Sequence, residues 1–145
     1  MNTYLAAQVF NGDRSLLSGS SKVSDLISVS GDVHHIFPKE YLKKSRYADK
    51  NMYNQVANYA YLDTGVNISI GMKAPNEYFT AAKEQCSSGM IKVGTILSED
   101  DFWANLKLNC IPQDVINMTA EDYPRFLTER RIMMAYKIRE YYYSL

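Results

Sequence analysis

The apolar residues of this chain change their spacing from one stretch to the next, and those changes predict its elements. Residues 3–10, TYLAAQVF, read as one or two helical turns, whereas residues 11–32, NGDRSLLSGSSKVSDLISVSGD, are rich in Gly, Ser and Asp and read as loop. DVHHIFP (32–38) reads as a short strand, because Val33, Ile36 and Phe37 favour extended structure and Pro38 ends the ladder. A long excursion over 39–57 contains a short helix in KEYLKKSRYA (39–48), and NYAYLD (58–63) is a second strand closed by the turn signal DTG. The two strands form a hairpin with a long connection. NISIGMK (67–73) is a turn or short helix beginning at Asn67, followed by a helix in PNEYFTAAKEQ (75–85), where Pro75 suits the first turn and Tyr78, Phe79 and Ala82 share a face.

The C-terminal third predicts two more helices. Ser98 caps one through EDDFWANLKLN (99–109), with Phe102, Trp103 and Leu106 on its apolar side and Pro112 as its stop. The other begins at Thr119 or Asp122 and places Phe126, Ile132, Met133, Tyr136 and Ile138 on a core stripe. The fold class is therefore α+β, mostly helical, with a short β-hairpin flanked by helices.

Composition adds bounds. With 145 residues, 46% of them hydrophobic, the chain is read as a single domain with a modest core. Its weak opening element and long polar loop suggest a piece of a larger protein. The longest apolar stretches, 68–72 and 90–96, fall far short of the roughly 20 residues that cross a bilayer, and the first residues carry no signal-peptide pattern. The expectation is a cytoplasmic chain with no membrane partner. Cys86 and Cys110, far apart in sequence, read as reduced thiols.

Net charge is zero, so distribution matters more than balance. Lys39, Lys43, Lys44, Arg46 and Lys50 face only Glu40 and Asp49 within one segment, and five basic residues between Arg125 and Arg139 face only Glu129. Each patch reads first as a solvated helix face. The acids gather at SEDD (98–101) and AED (120–122), where they suit first helical turns.

Both histidines of the chain, His34 and His35, are adjacent in the first strand. Imidazole is a frequent metal ligand and a base suited to neutral pH. Side chains of neighbouring strand residues point to opposite faces, so the two would do different work. The plainer alternative is one buried, hydrogen-bonded histidine beside an exposed one.

VHHIFPKEYL, then NYAYLD, then GVNISIGMKAPNEYF form an ordered set that resembles the HNH nuclease motif. The resemblance is closest to the nuclease domain at the C-terminal end of GmrSD-type modification-dependent restriction proteins. It spans about residues 31–80, and more loosely Phe126, Glu129 and Arg130. It implies a ββα-metal core over about 31–86, with a helical part over about 98–145. Carried over by position, His35 becomes the general base, and Asn58 the asparagine that braces the loop holding it. His34 and Asn67 become ligands of a divalent metal. Where many family members have aspartate, this chain has His34, so the protein ligands carry no charge. The implied ion is Mg²⁺ in the cell, with Mn²⁺, Ni²⁺ or Zn²⁺ as substitutes.

The implied function is a metal-dependent DNA endonuclease, part of a bacterial restriction or phage-defence protein whose nucleotide-hydrolysing recognition domain lies outside this chain. Beside this motif Lys39, Lys43, Lys44 and Lys73 become candidates for DNA phosphate contacts. Two alternatives stay open: an inactive DNA-binding or regulatory module with the same fold, and a small-molecule metalloenzyme, which the small ligand set disfavours.

Overall fold

The computed structural model describes residues 2–29 and 33–145, and the side chains of 28 and 29 are left aside. Eight α-helices and two short strands are described: α1 (Thr3–Asn11), α2 (Val23–Val29), β1 (Val33–His35), α3 (Lys39–Lys43), α4 (Lys50–Tyr53), β2 (Tyr59–Tyr61), α5 (Thr64–Ile70), α6 (Pro75–Ser88), α7 (Glu99–Leu108) and α8 (Tyr123–Ser144). Three 3-10 turns, Val56–Asn58, Gln113–Asn117 and Ala120–Asp122, complete the set. This is the mostly helical chain with a small antiparallel sheet that the residue pattern predicts. The strands pair Val33 with Tyr61, His34 with Ala60 and His35 with Tyr59.

The helix ends follow side-chain chemistry. Asn2 Oδ1 accepts from Leu5 N (2.8 Å) at the start of α1, Pro75 opens α6, and Ser98 Oγ accepts from Asp101 N at the start of α7. Three acids in the first turn of α7 complement its dipole. The acids of 120–122 belong instead to a 3-10 turn, where Thr119 and Asp122 form a reciprocal capping box.

Three elements depart from the residue pattern. The Ser-rich stretch expected to be loop contains α2, which starts where Asp25 Oδ2 accepts from Lys22 N (3.0 Å). Helix α5 begins at Thr64, with Asp63 as its flanking residue, so Asn67 lies mid-helix and not at its start. On α8 the buried stripe is Tyr123, Phe126, Leu127, Arg130 and Met134, while Ile132 and Tyr136 are exposed and Met133 and Ile138 only half-buried. An arginine occupies the most buried face of the helix, so the apolar spacing alone pointed to a neighbouring stripe.

The core gathers around Phe37, whose ring lies 4.8 Å from that of Phe126 and 5.1 Å from that of Tyr123. Tyr78, Phe79, Phe102 and Leu106 extend it across α6 and α7. Buried carboxamides hold the loops to this core. Asn105 Oδ1 accepts from Leu17 N (2.7 Å) and its Nδ2 donates to Ser15 O (3.0 Å). Gln85 Oε1 accepts from Lys92 N (2.8 Å) and Val93 N (3.0 Å), and its Nε2 donates to Ile96 O (2.9 Å). Cys86 and Cys110 are free thiols.

The second basic patch is partly used by the fold, although Arg131 and Arg139 remain exposed. Arg125 contacts Asp114, Asp122 and Glu129, Lys137 pairs with the buried Asp13, and Arg130 is buried. Lys39, Lys43, Lys44, Arg46 and Lys50, by contrast, are all exposed.

Two glycines separate backbone preference from packing. Gly12 and Gly94 both have left-handed backbones (φ +69° and +73°), but a Cβ on Gly12 meets nothing within 4 Å, whereas on Gly94 it would lie 2.2 Å from Leu17 O. Gly12→Ala should therefore cost about 1 kcal/mol from backbone strain alone. Gly94→Ala should lose about 2 kcal/mol beyond that, because two loops must separate. Urea unfolding of the two variants measures the gap.

Candidate functional site

A three-residue strand pair is too short to fix its own geometry. Here the fixing comes from Asn58, fully buried at the end of the 3-10 turn before β2. Its Oδ1 accepts from Phe37 N (2.7 Å), and its Nδ2 donates to Phe37 O (3.1 Å) and Tyr53 O (3.1 Å). Its own carbonyl accepts from Ile36 N (2.7 Å), so side chain and backbone together clamp the segment leaving β1. Arg130 secures the other side of the turn: its Nη1 donates to Ala57 O (2.9 Å) and Tyr59 O (2.7 Å), the carbonyls flanking Asn58. Tyr78 Oη donates to Ile36 O, tying α6 to the same strand exit.

In front of this brace lies a surface hollow of about 240 Å³ bordered by His34, His35, Lys39, Glu40, Asn67 and Met72 among others. The hairpin supplies the histidines, α3 supplies Lys39 and Glu40, and α5 supplies Asn67. The two histidines thus reach one hollow despite their adjacency. The strand ends at His35, so this hollow lies at the hairpin's end.

His35 is held on several sides. Its Nε2–H donates to Asn54 Oδ1 (2.8 Å), an assignment that leaves Nδ1 with the ring's lone pair. The Tyr59 and Tyr53 rings stand edge-on to the imidazole, with centroids 5.3 Å and 6.0 Å away. Lys39 Nζ lies 5.5 Å from the centre of the Tyr53 ring, which places a cation near the imidazole's neighbour.

Of the other expected lysines, Lys44 reaches the rim, its Nζ 3.9 Å from Met72 Sδ. Lys43 lies 3.7 Å from Glu40, both side chains exposed. Lys73 turns back on α5, donating to Ser69 O (2.9 Å) near the helix end, though the residue as a whole is exposed. Residue reasoning missed Asn54 and the bracing function of Arg130. Asn54 meets His35 only through the folded excursion, and nothing in the local sequence marks it.

The donor set limits the metal chemistry. Among the described residues no group of three or more His, Cys, Asp or Glu side chains could hold an ion. The expected ligands His34 and Asn67 are an imidazole and an amide oxygen, and the one carboxylate bordering the hollow, Glu40, lies 3.7 Å from Lys43 Nζ. Such a pair suits a loosely held divalent ion whose remaining positions go to water and substrate oxygens; it does not suit a permanent centre. Among the described residues no helix is long and apolar enough to cross a membrane.

Asn58→Ala leaves Phe37 N and Phe37 O without partners and Tyr53 O with only the long bond from Tyr123 Oη (3.5 Å), all in the interior. A loss of about 3 kcal/mol or more in unfolding free energy is expected. The His35 ring resonances should also shift in NMR spectra of the variant at temperatures where it remains folded.

Searched against known proteins, the chain matches no family model, no curated protein and no solved structure.

Proposed function

We propose that this chain is a metal-dependent endonuclease that hydrolyses DNA phosphodiester bonds, with the ββα-metal arrangement of the HNH nucleases it resembles. One observation carries the reading: His34, His35, Asn67 and Lys39 border a single hollow, and a fully buried Asn58 braces the hairpin behind it. Motif order along the chain and the shared lining of one hollow by His34, His35 and Asn67 support the reading.

In this reading His35 is the general base. With Nε2–H committed to Asn54, Nδ1 accepts the proton as water attacks phosphorus; the bond to the 3′ oxygen then breaks, and that oxygen takes up a proton from solvent. His34 and Asn67 would hold a divalent ion, which would supply Lewis-acid stabilisation of charge on the phosphate oxygens. The exposed cations of 39–50 hold the DNA backbone, Lys39 at the hollow and Lys43 and Lys44 beyond it. The whole protein would join this domain to a nucleotide-hydrolysing recognition domain and serve restriction or phage defence in the bacterial cytoplasm. The neutral donor set favours a second reading, a DNA-binding module of the same fold without cleavage, and plasmid nicking separates the two.

The test is conversion of supercoiled plasmid to nicked form by the chain in Mg²⁺, Mn²⁺ or Ni²⁺. His35→Ala should lose on the order of 100-fold or more in rate at every metal concentration, because the missing step is proton transfer. His34→Ala should lose metal affinity instead, with activity partly restored by more metal. Equal loss of metal binding in both, read by calorimetry, would overturn the division of labour. Asn54→Ala frees the tautomer and should lower the rate by about 10-fold or more with little change in plasmid affinity.

DNA binding gives an independent readout. Replacing Lys43 and Lys44 together by alanine should weaken binding to every sequence and flatten the plot of log affinity against log salt by roughly one to two units. An unchanged slope would mean that these lysines only face solvent.

A further inference from the structure

Helix α8 buries one stripe in the core, Tyr123, Phe126, Leu127, Arg130 and Met134, and carries a second, different stripe on its outer side. There Ile132 is 55% exposed, Tyr136 61% and Tyr143 77%. Together with Arg125, Glu129 and Arg139 these residues recur at spacings of four, three, four, three and four, the alternation that draws one seam along a helix. The seam runs for about 27 Å at 1.5 Å per residue. Beside Tyr136, the exposed Leu108 of α7 and the half-buried Met133 widen its apolar surface.

Charge along the seam indicates what covers it. Glu129 lies on one side of the apolar pair Ile132 and Tyr136, and Arg139 lies on the other. Lay a second α8 antiparallel to the first, about a twofold axis level with Met134. Ile132 then falls opposite Tyr136 of the other copy, Glu129 opposite Arg139, and Arg125 opposite Tyr143, each pair occurring twice. Small Ala135 flanks the axis, so the two helices can approach closely. A parallel pairing would instead set Glu129 on Glu129 and Arg139 on Arg139, so the charges select the antiparallel order.

Both charges are available for such a contact. Among the described residues Arg139 has no carboxylate partner; its guanidinium carbon lies 5.5 Å from the centre of the Tyr143 ring. Glu129 gives Oε1 to Arg125 (3.0 Å), which also holds Asp114 and Asp122, and among the described residues its Oε2 accepts no hydrogen bond.

We propose that the partner of this seam is a second copy of the chain, and that the protein forms an antiparallel twofold dimer through α8. A twofold contact of this kind uses the same surface on both copies and leaves none over, so assembly stops at two. The proposal stands on the fold alone, whatever reaction the hollow supports.

The test is sedimentation velocity of the full chain over a range of concentrations. The wild type should dimerise with a dissociation constant of about 100 µM or tighter. Tyr136→Lys changes an exposed position, so it should keep the wild-type circular dichroism while weakening dimerisation about tenfold or more. Arg139→Glu should weaken it similarly, because the antiparallel register then sets carboxylate against carboxylate. Combining Glu129→Lys with Arg139→Glu exchanges the two signs and should restore dimerisation to within about threefold of the wild type. A parallel dimer, with like facing like from the start, would not show this loss and recovery. A chain that stays monomeric up to about 1 mM would overturn the proposal. So would a dimer indifferent to Tyr136→Lys, no recovery on the charge exchange, or assembly beyond two copies.

Discussion

The Asn58 carboxamide on the Phe37 backbone is the contact on which the hairpin depends. Two strands of three residues bury little and bond little, and in isolation they would not hold one register. Asn58 supplies both an acceptor and a donor to the same residue, Phe37, and a second donor bond to Tyr53. Phe37 in turn packs its ring between Tyr123 and Phe126, which anchors the strand exit in the core. Local polar bonding and long-range apolar packing therefore meet at one residue, and the histidines just before it inherit that rigidity.

The same device recurs wherever this chain needs an irregular segment in its interior. Gln85 holds the 92–96 loop, Asn105 holds the 15–18 turn, and Asn109 receives Gln8 Nε2 (3.2 Å) while donating to Arg14 O (3.2 Å). Buried loops carry backbone groups that must be paired, and a carboxamide offers donors and an acceptor without adding charge. Arg130 is the charged exception, bonding the carbonyls on both sides of Asn58 and that of Asn109. It joins α8 to the hairpin turn and to the end of α7.

Much of this fold was legible in the residue pattern. Pro75 and Ser98 mark helix starts by a fixed φ and a cap, so α6 and α7 fall where those signals place them. Strand β1 lies within the expected 32–38 but ends at His35, and β2 at 59–61 falls within the expected 58–63. Failures have a common cause, polar residues used as structure. Ser- and Asp-rich α2 looked like loop, Asp63–Thr64 looked like a turn and is a helix start, and buried Arg130 displaced the expected stripe on α8. In the candidate site, motif order singled out His34, His35 and Asn67, and all three border one hollow. Asn54 was not legible, because its meeting with His35 exists only once the excursion from 39 to 57 is folded.

The hollow's chemistry rests on an unusual economy of charge. His34, His35 and Asn67 line it with a single carboxylate, Glu40, whose exposed side chain lies 3.7 Å from Lys43, so a cation there would find little charge in the protein. The most direct measurement is paramagnetic broadening of NMR signals by substoichiometric Mn²⁺. The account predicts selective loss of the His34 ring and Asn67 side-chain amide signals, weaker broadening at His35, and a marked increase in affinity when a short DNA duplex is added. Broadening centred instead on the acidic turn at 99–101, or no DNA dependence at the hollow, would contradict it.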